Sequence, residues 1–261
     1  MEKSIFLKVD AAVICLVLFI VMPVIVKLGN RMRKRFWDPD EVETKGGVNS
    51  LLGALFGLWG FILAFTFGQS GVRFENLRSM IVDEANYLRT SIIRADLFPD
   101  SIRRVYRAEL QQYLEERISY YDYASDEIKF RKNREDISTT SATLWATTVG
   151  LTKRPDMRIS AEDMVTSLTN LFDVGIKRDA LLNAGIPAPI SVMLIFLALS
   201  ICFVGGFTTP AIKRKEWIVI FAFAFLAAAI LYITIDLARP MEGLIRPDAG
   251  QASLVNLRRF F

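Results

Sequence analysis

The sequence predicts an all-α, four-span integral membrane protein with a helical-bundle insert between spans 2 and 3. Apolar residues fill 52% of its 261 positions, above the roughly 45–50% of an ordinary soluble domain even with glycine counted. The excess gathers in four runs, near residues 11–28, 50–68, 190–208 and 217–236. Each is about the length that crosses roughly 30 Å of hydrocarbon as a helix. Between the second and third runs lies a polar stretch with helical periodicity and no strand pattern.

The first run follows a basic start, Lys3 and Lys8, and contains Pro23. It ends in "VKLGNRMRKR" with no small-x-small cleavage site, so it reads as a retained span, not a signal peptide. The second run passes without a breaker into an amphipathic stretch at 72–98, where Leu77, Ile81, Ala85, Leu88, Ile92 and Ala95 recur at three- and four-residue steps. One helix is therefore expected to continue out of the membrane. "FPDS" at 98–101 ends it and offers Asp100 or Ser101 as the next N-cap. A second insert helix runs to about Tyr123, and a third, weakly periodic, covers about 126–150. "TKRPD" at 152–156 is a loop, and Ser160 with Asp163 resembles a capping box for a fourth helix to about Leu182. "NAGIPAPI" at 183–190 breaks the chain before the third span. Residues 1–69 thus hold spans 1 and 2. Residues 70–186 form a helical extramembrane domain, 187–238 hold spans 3 and 4, and 239–261 form a C-terminal tail.

Composition excludes several function classes. Cys15 and Cys202 are the two cysteines, both inside expected spans, and histidine is absent. There is no disulfide scaffold, and the usual general base and commonest metal ligand are missing. A net charge of +4 makes no case for nucleic acid. No P-loop, G-x-G-x-x-G, H-E-x-x-H or G-x-S-x-G occurs. No enzyme, catalytic residue, cofactor or metal is expected. The partners expected are the lipid bilayer, a second copy of the chain and small inorganic ions.

Basic residues near span ends tie between the two sides, but "RMRKR" and "KRK" are denser clusters, which leans their loops towards the cytoplasm.

The second span carries the functional signal. On a helical wheel at about 100° per residue, Gly53, Gly57, Gly60, Ala64, Gly68 and Gly71 fall within an arc of roughly 80°. Phe61 and Phe65 border this arc, Leu58 and Gln69 lie beyond them, and Trp59 and Leu63 lie on the far side. Glycine costs helix stability, so such a stripe needs an offsetting gain. One reading is close helix packing. The other is that the edge of the stripe lines a conduction path, where rings of apolar side chains gate by dewetting. The two are compatible in an oligomer. A non-conducting scaffold or sensor, whose insert binds a partner, fits the stripe equally.

"FILAFTFGQSGVRFENLR" at 61–78 resembles the second transmembrane segment of the bestrophin anion channels, with Phe65, Arg73-Phe74 and Arg78 in the matching places. "EANYLRTSIIRADLFP" at 84–99, "IPAPISVML" at 186–194 and "DLARPMEGLIRP" at 236–247 extend the likeness to a bestrophin-like family, DUF4239, over nearly the full chain. The resemblance implies a homo-oligomer in the plasma or inner membrane. Bestrophins are pentamers with a central pore for anions such as chloride. It also implies a pore neck at Gly57, Phe61 and Phe65 and a pore mouth at Thr66, Gln69 and Arg73. Gly57 departs from the bulky residue expected there, and Thr66 stands where bacterial bestrophins often place an arginine. The resemblance further implies that both termini and the insert face the cytosol, opposite to the lean of the dense basic clusters.

Overall fold

The computed structural model describes residues 11–36, 45–123, 126–183, 185–209, 212–241 and 243–261. The basic start at Lys3 and Lys8 lies outside them. The described residues are helical, with no strand among them. In chain order the helices are α1 (Ala11–Phe36), α2 (Lys45–Ala95), α3 (Asp100–Asp122), α4 (Glu127–Thr152), α5 (Arg158–Asn183), α6 (Ala188–Thr208), α7 (Arg214–Leu237) and α8 (Asp248–Val255). A 3₁₀ turn, Asn256–Phe260, closes the chain. The four apolar runs fall in α1, α2, α6 and α7, each long and apolar enough to cross a membrane. As the unbroken periodicity predicts, α2 is one helix of 51 residues.

The chain divides into two compact units. The membrane unit takes the residues up to Val72 and Gly185–Ala238. Its core joins Leu18, Met22 and Val26 of α1, Trp59 and Leu63 of α2, Leu194, Ala198 and Ile201 of α6, and Ala224, Ala227 and Leu231 of α7. The tightest approach is between α1 and α6. A Cβ on Gly29 would fall 2.2 Å from the Phe203 carbonyl oxygen, and one on Gly206 would fall 2.0 Å from that of Val26. Only glycine lets the two backbones come this close. At the same end the Asn30 amide donates to the Thr209 carbonyl and the Arg33 guanidinium to that of Thr208, both at 2.5 Å. These are carbonyls at the end of α6 that no helical N–H reaches. A cationic side chain also suits the negative end of the helix dipole. The basic end of α1 and the end of α6, which leads into "KRK", therefore lie together.

The second unit takes Arg73–Ala184 and Arg239–Phe261. Leu77, Ile81, Leu88 and Ile92 of α2 pack with Leu110 and Leu114 of α3, Leu144 of α4, and Met164, Leu168 and Leu171 of α5. The 239–261 segment, expected as a tail, adds Leu254 and Leu257 to this core. Gly250 lies against Ile81, and Arg258 pairs with Glu115 at 2.6 Å.

Two helix starts differ from expectation. The Pro99 carbonyl accepts from the Ile102 and Arg103 N–H groups, both at 2.9 Å, so α3 opens at Asp100, with Pro99 holding the cap position. Proline suits a helix entrance because its fixed φ matches and its missing N–H is not needed there. Ser160 does not cap α5. That helix opens at Arg158, after a tight turn in which the Met157 N–H donates to the Arg154 carbonyl. Met157, just before this start, is buried in the core.

Candidate functional site

α2 turns two different faces outward and inward between residues 53 and 73. Trp59, Leu63, Thr66 and Ser70 are buried within the chain. The Trp59 indole N–H donates to the Leu194 carbonyl of α6 at 3.0 Å, and its ring lies 6.2 Å from that of Phe223 on α7. The Thr66 and Ser70 hydroxyls donate back to the carbonyls of Ile62 and Thr66, at 2.7 and 2.9 Å. Such i−4 bonds satisfy a hydroxyl inside its own helix.

The opposite face is uncovered. Gly53, Gly57, Gly60, Ala64 and Gly68 are exposed, and Gly71 is half-buried. A Cβ built on Gly53, Gly57, Gly60, Gly68 or Gly71 would meet nothing within 4 Å. No contact among the described residues accounts for the stripe. Phe61 and Phe65 are also exposed, by 72% and 62%. Of the apolar window of α2 only 17% is buried, against 33% in each of the other three long apolar helices.

Gly57, Phe61, Phe65 and Gln69 share this uncovered side. Phe61 and Phe65 stand one turn apart, about 6 Å along the helix. Thr66 is not with them, because it lies on the Trp59 side and is 5% exposed. Arg73 is half-buried and donates to the Leu181 carbonyl at 2.7 Å, within the last turn of α5. It is a helix-end cap in the second unit, and its guanidinium is held in place.

A second polar feature lies farther along α2. Glu84 is wholly buried, with Arg117 of α3 and Arg178 of α5, also wholly buried, on its two carboxylate oxygens. Arg178 approaches to 2.6 Å. Tyr113 donates to the same carboxylate at 3.2 Å, and Asp179 accepts from Arg117 at 3.3 Å. The Tyr120 ring lies beneath both guanidinium groups, 5.3 and 5.2 Å from their centres. Burial and the Glu84 charge push the Tyr113 hydroxyl well above its usual range, so it stays a donor. Two carboxylates face two guanidiniums, which neutralises a group that would otherwise be costly to bury. Glu84 thus ties α2 to α3 and α5. Arg117 carried no signal in the pattern of apolar residues alone. Its place becomes legible only when the 4-3 spacing Tyr106, Leu110, Tyr113, Arg117, Tyr120 is followed through the charge.

Four long apolar helices and a polar helical unit define a multi-pass helical membrane protein. A family model described as a Bestrophin-like domain matches residues 16–246, and the chain belongs to that bestrophin-like family. Its fold is similar to the crystal structure of a bacterial bestrophin homologue from Klebsiella pneumoniae that carries a point mutation. The TM-score is 0.60 at 14% identity, over 94% of this chain and 98% of that one. No curated protein matches.

Proposed function

We propose that the chain is the protomer of a homo-oligomeric membrane channel for anions, with α2 lining the pore and Phe61 and Phe65 forming its apolar neck. The observation that carries this reading is the uncovered glycine and phenylalanine face of α2. The exposed surfaces of α1, α6 and α7 are built from bulky apolar residues such as Leu16, Ile20, Phe196, Ile218 and Phe225, suited to lipid. α2 instead presents bare backbone. In hydrocarbon, small residues gain when another helix packs against them, and the available helix is that of another copy. Membership of the bestrophin-like family and the likeness to a bestrophin homologue support the same reading. The bestrophins resembled here are pentamers, and five copies is the stoichiometry we propose. The site is a multi-pass inner or plasma membrane, with the termini and the helical unit on the cytoplasmic side.

In such an assembly each subunit presents Phe61 and Phe65 to the axis as two stacked apolar rings. An apolar constriction resists hydration, and an ion entering it meets a large desolvation barrier. Gly57 leaves the position one turn before Phe61 wide. Gln69, one turn past Phe65, offers an amide to an ion leaving the neck. Arg73 adds positive charge beyond it, which raises the local anion concentration. Thr66 supplies no lining group, since it faces its own subunit. Planar-bilayer recording of the purified protein tests the proposal. A current that reverses near the chloride equilibrium potential is the expected result. Absence of current from correctly assembled protein would favour the non-conducting scaffold or sensor.

A further inference from the structure

We infer that the end of the membrane unit formed by the C-terminus of α1 and the start of α7 binds anionic phospholipid headgroups. Exposed cations cluster densely at this end. Arg31, Lys34 and Arg35 of α1 are exposed, as are Lys213, Arg214 and Lys215 at the start of α7. Lys27 and Arg33 lie on the same last turns of α1. The bonds from Asn30 and Arg33 to the end of α6 bring the two basic runs to one end.

None of the six exposed cations forms a salt bridge among the described residues. The one nearby described carboxylate, Glu216, accepts from the Lys213 backbone N–H at 2.9 Å. Three successive cations also stand at the start of α7, where the helix dipole disfavours them. An external anion would offset both the repulsion and the dipole.

The surroundings choose lipid over a free anion. Val24, Leu28, Arg31 and Arg35 follow three- and four-residue steps on α1, and Arg214, Ile218, Phe221 and Phe225 do so on α7. Each stripe is basic at the end and exposed and apolar below it. Phe19, on another face of α1, lies 6.2 Å from Phe221 and 6.5 Å from Phe225, so α1 and α7 pack side by side while each stripe stays open. An acyl chain fits against the apolar part of either stripe while its phosphate meets the cations at the end, since apolar burial and attraction to anionic headgroups add.

Ligand binding to the folded state raises its unfolding temperature. The test is therefore the unfolding midpoint of the full chain in detergent, with added dioleoyl phosphatidylglycerol, dioleoyl phosphatidylcholine or inorganic phosphate. Phosphatidylglycerol is expected to raise the midpoint by about 3 °C or more, with little effect from the other two. The shift should vanish in about 1 M salt, where screening acts within roughly 3 Å. It should also vanish in the variant R31Q/K34Q/R35Q/K213Q/R214Q/K215Q and persist in K129Q/R131Q/K132Q, which removes cations of α4. The wild-type salt series decides the matter even if the sixfold variant does not fold. An equal shift from phosphate would point to a free-anion site and overturn the proposal. The linker at 37–44, outside the described residues, carries Asp38, Asp40, Glu41 and Glu43. A phosphatidylglycerol shift no larger than that of phosphatidylcholine would mean that internal charge, not lipid, neutralises the patch, and would also overturn it.

Discussion

Gly206 of α6 packs directly on Val26 of α1, so that a Cβ at Gly206 would fall 2.0 Å from the Val26 carbonyl oxygen. Gly29 makes the reciprocal approach to Phe203. The obstacles are backbone atoms, which cannot swing aside. Gly206→Ala and Gly29→Ala should each destabilise the protein by about 1–3 kcal/mol through overpacking. Gly205→Ala, one residue away with nothing within 4 Å of its Cβ, should unfold close to the wild-type temperature. Thermal unfolding in detergent reads all three.

The glycines of α2 should behave in the opposite way. Gly60 has open space around it in the protomer, and Ala64 is exposed. Gly60→Leu and Ala64→Leu should therefore leave the protomer folded and weaken assembly, by about 1–3 kcal/mol at a close contact. Size-exclusion chromatography with light scattering gives the outcome. Retention of the wild-type oligomer by both variants would remove the stripe from any subunit interface.

Glu84 holds two buried guanidinium groups. Glu84→Gln leaves both without their shared counter-charge, and breaking a buried pair in this way costs about 3–5 kcal/mol. The exposed Arg258–Glu115 pair is of another kind. Arg258→Gln should change stability little, because solvent screens such pairs. Denaturant unfolding compares the two. Equal losses would mean that the buried cluster does not hold the helical unit together.

Arg73 has two separable attributes, a positive charge and a hydrogen bond to the end of α5. Arg73→Ala should lower the anion-to-cation permeability ratio, chiefly at low salt where the field is least screened. Arg73→Lys keeps the charge and should keep the ratio. Reversal potentials in asymmetric chloride check this. The same ratio in all three proteins would detach Arg73 from ion selection.

Much of this molecule is legible in its residues. The four apolar runs, the unbroken α2 and the helix breaks within 98–101 and 183–190 follow from length, periodicity and proline placement. The wheel angle also sets Thr66 beside Trp59 rather than beside Phe65, roughly 100° of turn away. The resemblance to bestrophins placed Thr66 at the pore mouth, and the helical geometry sets it facing its own subunit. Gly29 and Gly206 were not legible, because one glycine in α1 and one adjacent pair in α6 make no stripe, and only the crossing of α1 with α6 gives each its meaning. The docking of 239–261 was hidden for a related reason. Its helix has 8 residues, too few for a periodic face, and Leu254 and Leu257 show their role only against the core they enter.

The central claim is that α2 lines a conduction path whose narrowest part is Phe61 and Phe65. The most direct measurement is single-channel current of the purified Phe61→Ala/Phe65→Ala protein in a planar bilayer, beside the wild type. Removing both rings should widen and wet the neck, so the account predicts larger currents and relaxed gating from a normally assembled oligomer. A doubly substituted oligomer that assembles normally yet conducts no better than the wild type would contradict it.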